Sequence, residues 1–209
     1  MKPERATEIE VLLERPAALG EGPRWDERGE RLWWTDIEGR RLHACRADGS
    51  EHREIRLEPK VGALGFCARE GLVLATSAGF ARWRDGGRGS GSGGEGDGAL
   101  EFLGNPLEPG DAVRFNDGLV DPLGRFWAGS MSGLDNSLFR LEGKGVERVA
   151  GGFGLPNGMG FSPDGRSFYF TDSEARTIYA YDFDPATGEL EHRRALVSSE
   201  DEPGVPDGL

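Results

Sequence analysis

The chain is 209 residues long, 36% hydrophobic and carries 34 glycines, which points away from helices and toward many short strands joined by tight turns. A formal charge of −12 and a pI near 4.8 argue against nucleic acid or an anionic membrane as a partner, because both are polyanions. Two cysteines, Cys45 and Cys67, give no disulfide framework or metal-finger spacing, and neither an apolar leader nor a membrane-length run is found, so a soluble cytoplasmic protein is expected.

The first predicted element is a strand over residues 7–13, where Glu8, Ile9, Glu10 and Val11 alternate. Next come Gly20-Glu21-Gly22-Pro23-Arg24-Trp25, Gly29 and Leu32-Trp33-Trp34-Thr35-Asp36. The same text returns as Leu155-Pro156-Asn157-Gly158-Met159-Gly160-Phe161, Gly165 and Phe168-Tyr169-Phe170-Thr171-Asp172. Laid on one another without gaps, Glu21 falls on Asn157, Trp25 on Phe161, Gly29 on Gly165 and Thr35-Asp36 on Thr171-Asp172. The register holds as far as Arg40 on Arg176 and Leu42 on Ile178, which identifies an internal repeat.

Looser copies fill the interval and follow it. Gly62-Ala63-Leu64-Gly65-Phe66 leads to Gly71 and Leu72-Val73-Leu74-Ala75-Thr76, with alanine where Glu21 stood. Arg114-Phe115-Asn116-Asp117-Gly118 leads to Asp121-Pro122-Leu123-Gly124 and Phe126-Trp127-Ala128-Gly129, and Val205-Pro206-Asp207-Gly208-Leu209 repeats the head once more. Further strands are expected at 41–47, 138–141, 146–150, 177–183 and 189–197. Heads recurring every 40 to 55 residues or so, with strands only between them, are the signature of propeller blades. Residues 85–98, a Gly/Ser-rich run, read as a flexible loop inside the second blade. Gly91, Gly93 and Gly96 there match a dinucleotide fingerprint by composition alone, since no strand feeds the run and no helix follows it.

His43, His52 and His192 have no ligand spacing and read as packing or surface residues, and no GxSxG elbow occurs. Asp36 and Asp172 close repeated turns and read as structural; Asp117 reads as a turn former. The informative set is Glu21, Asn116, Asn157 and Asp207, because equivalent positions of successive blades converge on a propeller's channel. Two carboxylates and two amides make a hard-oxygen site suited to Ca²⁺, Mg²⁺ or Mn²⁺. The competing reading is that polar residues at blade starts satisfy turn amides.

Glu21-Gly22-Pro23, Arg114-Phe115-Asn116-Asp117-Gly118, Leu155-Pro156-Asn157-Gly158-Met159 and Pro206-Asp207-Gly208 together resemble the regucalcin/senescence marker protein/gluconolactonase family of six-bladed β-propellers. The resemblance implies an all-β chain, residues 1–209 forming a single propeller domain of about four blades and the start of a fifth. Six blades of about 45 residues need roughly 270, so the chain is expected to be truncated at its C-terminus, with residues 7–13 as the ring-closing strand. It further implies a divalent cation, with Ca²⁺ ahead of Mg²⁺, Mn²⁺ or Zn²⁺, held by Glu21, Asn157 and Asp207. Arg114 and Asn116 would bind a sugar lactone, and Asp207 would double as the general base of its hydrolysis. One departure is that Gly129-Ser130-Met131 is followed by Ser132-Gly133-Leu134, where mammalian-type members place a glutamate pair against the substrate. That leaves the preferred lactone open. The rival functions are a non-enzymatic calcium-binding or scaffold propeller, and a metal-dependent esterase or phosphotriesterase on the same fold.

Overall fold

The computed structural model describes residues 10–86, 98–107, 113–132 and 135–209. Every helix or strand element among them is a strand, and the strands form four antiparallel sheets of four, each paired in chain order. The first blade holds β1 (Gly20–Asp26), β2 (Arg31–Asp36), β3 (Arg41–Cys45) and β4 (Arg53–Arg56). The second holds β5 (Val61–Phe66), β6 (Leu72–Thr76), β7 (Gly79–Arg84) and β8 (Ala99–Gly104). The third holds β9 (Arg114–Val120), β10 (Phe126–Met131), β11 (Asn136–Glu142) and β12 (Gly145–Phe153). The fourth holds β13 (Pro156–Phe161), β14 (Ser167–Asp172), β15 (Thr177–Phe183) and β16 (Leu190–Ser198).

Side-chain alternation explains how the sheets stack. In the second blade Leu64, Leu72 and Leu74 face Trp33, Leu42 and Ile55 of the first. Their neighbours Ala63, Val73 and Ala75 turn the other way, against Phe115, Phe126 and Phe139 of the third. Trp127 and Leu138 then pack on Phe168, Phe170 and Phe183 of the fourth. A blade between two others is apolar on both faces, and β6 is buried at every residue, whereas β16 is exposed along most of its length. This face-to-face succession of meanders is a β-propeller arrangement.

Most of the predicted strands stand where the repeats put them, and residues 143–145 do turn the chain between β11 and β12. The strand expected at 7–13 does not form over its described part. Residues 10–13 pair with no neighbouring strand; Val11 and Leu12 stay exposed, and the Leu12 carbonyl lies against the turn at Gly49. Alternation supplies an apolar face, but a strand also needs a partner edge, and the chain here meets a turn. Strands β7 and β8 pair antiparallel on either side of the Gly/Ser-rich run. Residues 87–97, with the dinucleotide-like glycines, lie outside the described residues. No helix among the described residues is long and apolar enough to cross a membrane.

Asp36 and Asp172 do the same work in two blades. Asp36 accepts from the backbone N–H groups of Ala18, Leu19 and Gly39, and Asp172 from those of Gly154, Leu155 and Ala175. Each ties the turn that follows its strand to the segment entering its own blade. Burial of Asp36 opposes its charge, yet the N–H donors outweigh burial and hold the carboxyl below its ordinary range. A depressed carboxyl contributes stability above its unfolded pKa and loses it as pH falls through the folded one. Asp36→Asn is therefore expected to cost about 2 kcal/mol at neutral pH. Urea midpoints should show the gap between variant and parent closing as the solution is acidified below the ordinary carboxylate range.

Candidate functional site

The four inner strands, β1, β5, β9 and β13, are each irregular at the head. Register shifts fall between Glu21 and Arg24 on β1, between Val61 and Ala63 on β5, opposite Ala128–Ser130 on β9, and between Pro156 and Met159 on β13. A bulge breaks the strict alternation and re-aims the side chains within it. Glycine next to the bulge lets the neighbouring inner strand come close. A Cβ on Gly62 would overlap the Phe115 carbonyl oxygen, and one on Gly158 would lie 2.6 Å from the Asp207 carbonyl oxygen. The Gly158 N–H donates to that oxygen at 3.0 Å.

The heads are linked side chain to side chain. Arg114 Nη1 donates to the Phe115 carbonyl at 2.9 Å and to Asn116 Oδ1 at 2.8 Å. Asn116 Nδ2 donates to Asn157 Oδ1 at 2.7 Å and to the Pro156 carbonyl at 2.8 Å. Asn157 Nδ2 donates to Ser173 Oγ at 2.8 Å, and Ser173 Oγ to the Pro206 carbonyl at 2.6 Å, one residue before Asp207. A polar relay thus runs from Arg114 to the segment carrying Asp207, with Arg114 and Asn157 both buried.

Charge concentrates beside that relay. The Glu21 carboxyl is pushed above the ordinary range, by partial burial first and by the negative charge of Asp207 second, while the Gly22 N–H and Arg114 pull the other way. Asp117 is also raised, chiefly by burial, with Asp207 adding to it and Gly118 N–H and Arg24 opposing. Its carboxylate sits 3.8 Å from Arg24 Nη2, which itself donates to the Gly118 carbonyl at 2.9 Å. Burial lowers the Arg114 pKa, against the supporting charges of Glu38 and Glu21.

The structure links Arg114, Asn116 and Asn157 by direct hydrogen bonds and brings Glu21 and Asp207 within each other's field. It also corrects the reading of Asp117, which lies inside β9 rather than in a turn, because β9 runs on past its bulge to Val120. Ser173 was missed. The repeat register lays it on Ile37 of the first blade and Ser77 of the second, so a hydroxyl at this position does not by itself mark the relay; what marks Ser173 is its place between Asn157 and the Pro206 carbonyl. The histidines stay away from the site: His43 stacks on Trp34 and meets His52, and His192 pairs with Asp182.

As a cation site the set fits hard-oxygen chemistry. Among the described residues no three His, Cys, Asp or Glu side chains group as metal ligands, so amide oxygens must complete any set. Asn157 Oδ1 accepts one hydrogen bond and keeps a second lone pair. The strain between Glu21 and Asp207 is of the kind a cation relieves.

Residues 19–209 match the family described as the SMP-30/gluconolactonase/LRE-like region. A pentonolactonase of Haloferax volcanii is 38% identical over 95% of this chain and 65% of its own length. A regucalcin of Danio rerio is 31% identical over 96% of this chain and 67% of its own. A solved calcium-binding protein, regucalcin, from Agrobacterium tumefaciens superposes with a TM-score of 0.84 at 25% identity, over 95% of this chain and 65% of that one. A gluconolactonase of Xanthomonas campestris gives 0.72 at 25% identity, over 92% and 66%. The chain thus spans about two thirds of the length of these relatives.

The relay makes Ser173 a positioning residue for the segment that bears Asp207. Ser173→Ala removes an acceptor for Asn157 and a donor to Pro206, at an expected cost of about 1–3 kcal/mol. Thermal unfolding should register it, and amide hydrogen exchange at Gly158 should quicken as the partner carbonyl of Asp207 drifts away.

Proposed function

We propose, from the premise that this chain belongs to the SMP-30/gluconolactonase/LRE-like family, that its blade-head cluster hydrolyses sugar lactones with the aid of a divalent cation. The observation that carries the reading is the hydrogen-bonded chain that joins Arg114, Asn116, Asn157 and Ser173 to the Pro206 carbonyl, next to Asp207, from residues far apart in the sequence. Relatives named pentonolactonase, 6-deoxy-6-sulfogluconolactonase and L-arabinolactonase support the substrate class.

Glu21, Asn157 and Asp207 would hold the cation, Ca²⁺ being the first candidate and Mg²⁺, Mn²⁺ or Zn²⁺ the others. When bound, it supplies Lewis acidity that polarises the lactone carbonyl. Asp207, exposed to water, would take the proton from the attacking water molecule and hold it at a carboxylate oxygen. Asn116, fixed on both sides by hydrogen bonds, and the Arg114 guanidinium would orient the lactone oxygens. Asp117, whose carboxylate accepts from the Gly118 N–H and faces Arg24, would add negative potential beside the site.

A second reading, a calcium-binding propeller without turnover, draws on the description of the Agrobacterium tumefaciens relative as a calcium-binding protein. One experiment separates the two. A panel of aldonolactones is assayed on the full chain after chelation and after adding back each of the four cations. Turnover should vanish on chelation and return with a cation, and Asp207→Ala should lower kcat by roughly 10²–10⁴-fold. Cation binding with no lactone turnover would favour the second reading, and full activity in Asp207→Ala would exclude the assigned base.

A further inference from the structure

The ring of blade heads has a gap. Where the other blades offer Glu21, Asn116 and Asn157, the second offers Gly62 and Ala63, which carry no polar side chain. The rim beside that gap is not apolar, however. Lys60, the residue before β5, reaches back to Glu38 in the turn between β2 and β3, and its Nζ lies 2.9 and 2.7 Å from the two carboxylate oxygens.

Both ends of this pair are anchored. The Lys60 N–H donates to Ser77 Oγ at 3.1 Å, and the following Val61 carbonyl accepts from Thr35 Oγ1 at 2.7 Å. The Glu38 turn is pinned by the Gly39 N–H, which donates to Asp36 Oδ1 at 3.0 Å. The pair also adjoins the site. Gly62, two residues after Lys60, lies directly against the carbonyl oxygens of Phe115 and Asn116, and the Glu38 charge supports that of Arg114 alongside Glu21. An exposed ion pair of this kind adds little to stability, and its placement calls for another reason.

We infer that Glu38, fixed by Lys60, is a specificity-determining residue that accepts hydrogen bonds from the ring hydroxyls of the lactone across the gap left by the second blade head. The inference rests on the hydrolase reading of the same site. A carboxylate has about four acceptor positions, and Lys60 engages one on each oxygen. A position on each oxygen is left, which matches a vicinal diol. Lys60 orients the carboxylate through both oxygens, and its hydrogen bond is the leading cause of a lowered Glu38 pKa. Arg114 on one side and Glu38 on the other would then grip the polar oxygens of one substrate ring.

The test compares δ-gluconolactone, which carries ring hydroxyls, with δ-valerolactone, which has none, on the full chain. Glu38→Gln should raise KM for the first about tenfold or more, with kcat nearly unchanged, and leave both constants for the second untouched. Lys60→Met should shift the same substrate in the same direction by less. Because Glu38 is exposed, the variant is expected to keep the parental melting temperature. A KM ratio between the two lactones that does not change in Glu38→Gln overturns the inference alone. Turnover of neither lactone by the parent overturns the hydrolase reading. Calorimetry with 1,5-anhydroglucitol, which keeps the ring hydroxyls and lacks the reactive carbonyl, then decides Glu38 independently, a roughly tenfold weaker affinity in Glu38→Gln supporting the role and equal affinity refuting it.

Discussion

The close approach of neighbouring inner strands, made possible by a bulge and a glycine at each head, is the constraint on which the rest depends. The bulges recur in all four blades, at β1, β5, β9 and β13. Gly62 and Gly158 let the backbones of residues 115–116 and 207 come closer than any side chain would permit. Once the backbones are that near, the side chains beside the bulges have short reaches to one another. That is why Asn116 touches Asn157 although 41 residues separate them.

Farther from the heads, the same succession of sheets is held by apolar faces. Each inter-blade cluster draws on two blades, so a middle blade must be apolar on both sides while a strand such as β16 need not be. Polar links cross these faces at chosen points. The buried Asp121–Arg125 pair accepts the Trp127 N–H, and Arg125 reaches the Pro185 carbonyl of the fourth blade. Such a pair satisfies its own desolvated charges and fixes the register of one blade on the next.

The contrast between two kinds of carboxylate divides scaffold from site. Asp36 is saturated with backbone N–H donors, and they hold its pKa low against burial. Glu21 and Asp117 have fewer donors and share the field of Asp207, and theirs rise. Residue type alone does not separate them, since all are acids carried on strands. Donor supply and neighbouring charge do, and perturbed carboxylates with a common partner are where chemistry is expected to concentrate.

The sequence by itself determined the blades. A repeat that keeps glycine, aromatic and Thr-Asp positions in register marks strand ends and turns locally, because turn chemistry and alternation act over a few residues. It also marked Glu21, Asn116, Asn157 and Asp207, whose equivalence is a matter of register. Tertiary structure alone decided what depends on meetings across the chain. The strand expected at 7–13 does not form at 10–13, since pairing requires an edge that no local pattern reveals. Ser173 matters because Asn157 and the Pro206 carbonyl flank it. Asp117 left the turn assigned to it and Glu38 found Lys60 for the same reason: hydrogen bonds and Coulomb forces act through distances in space, and only folding sets those distances.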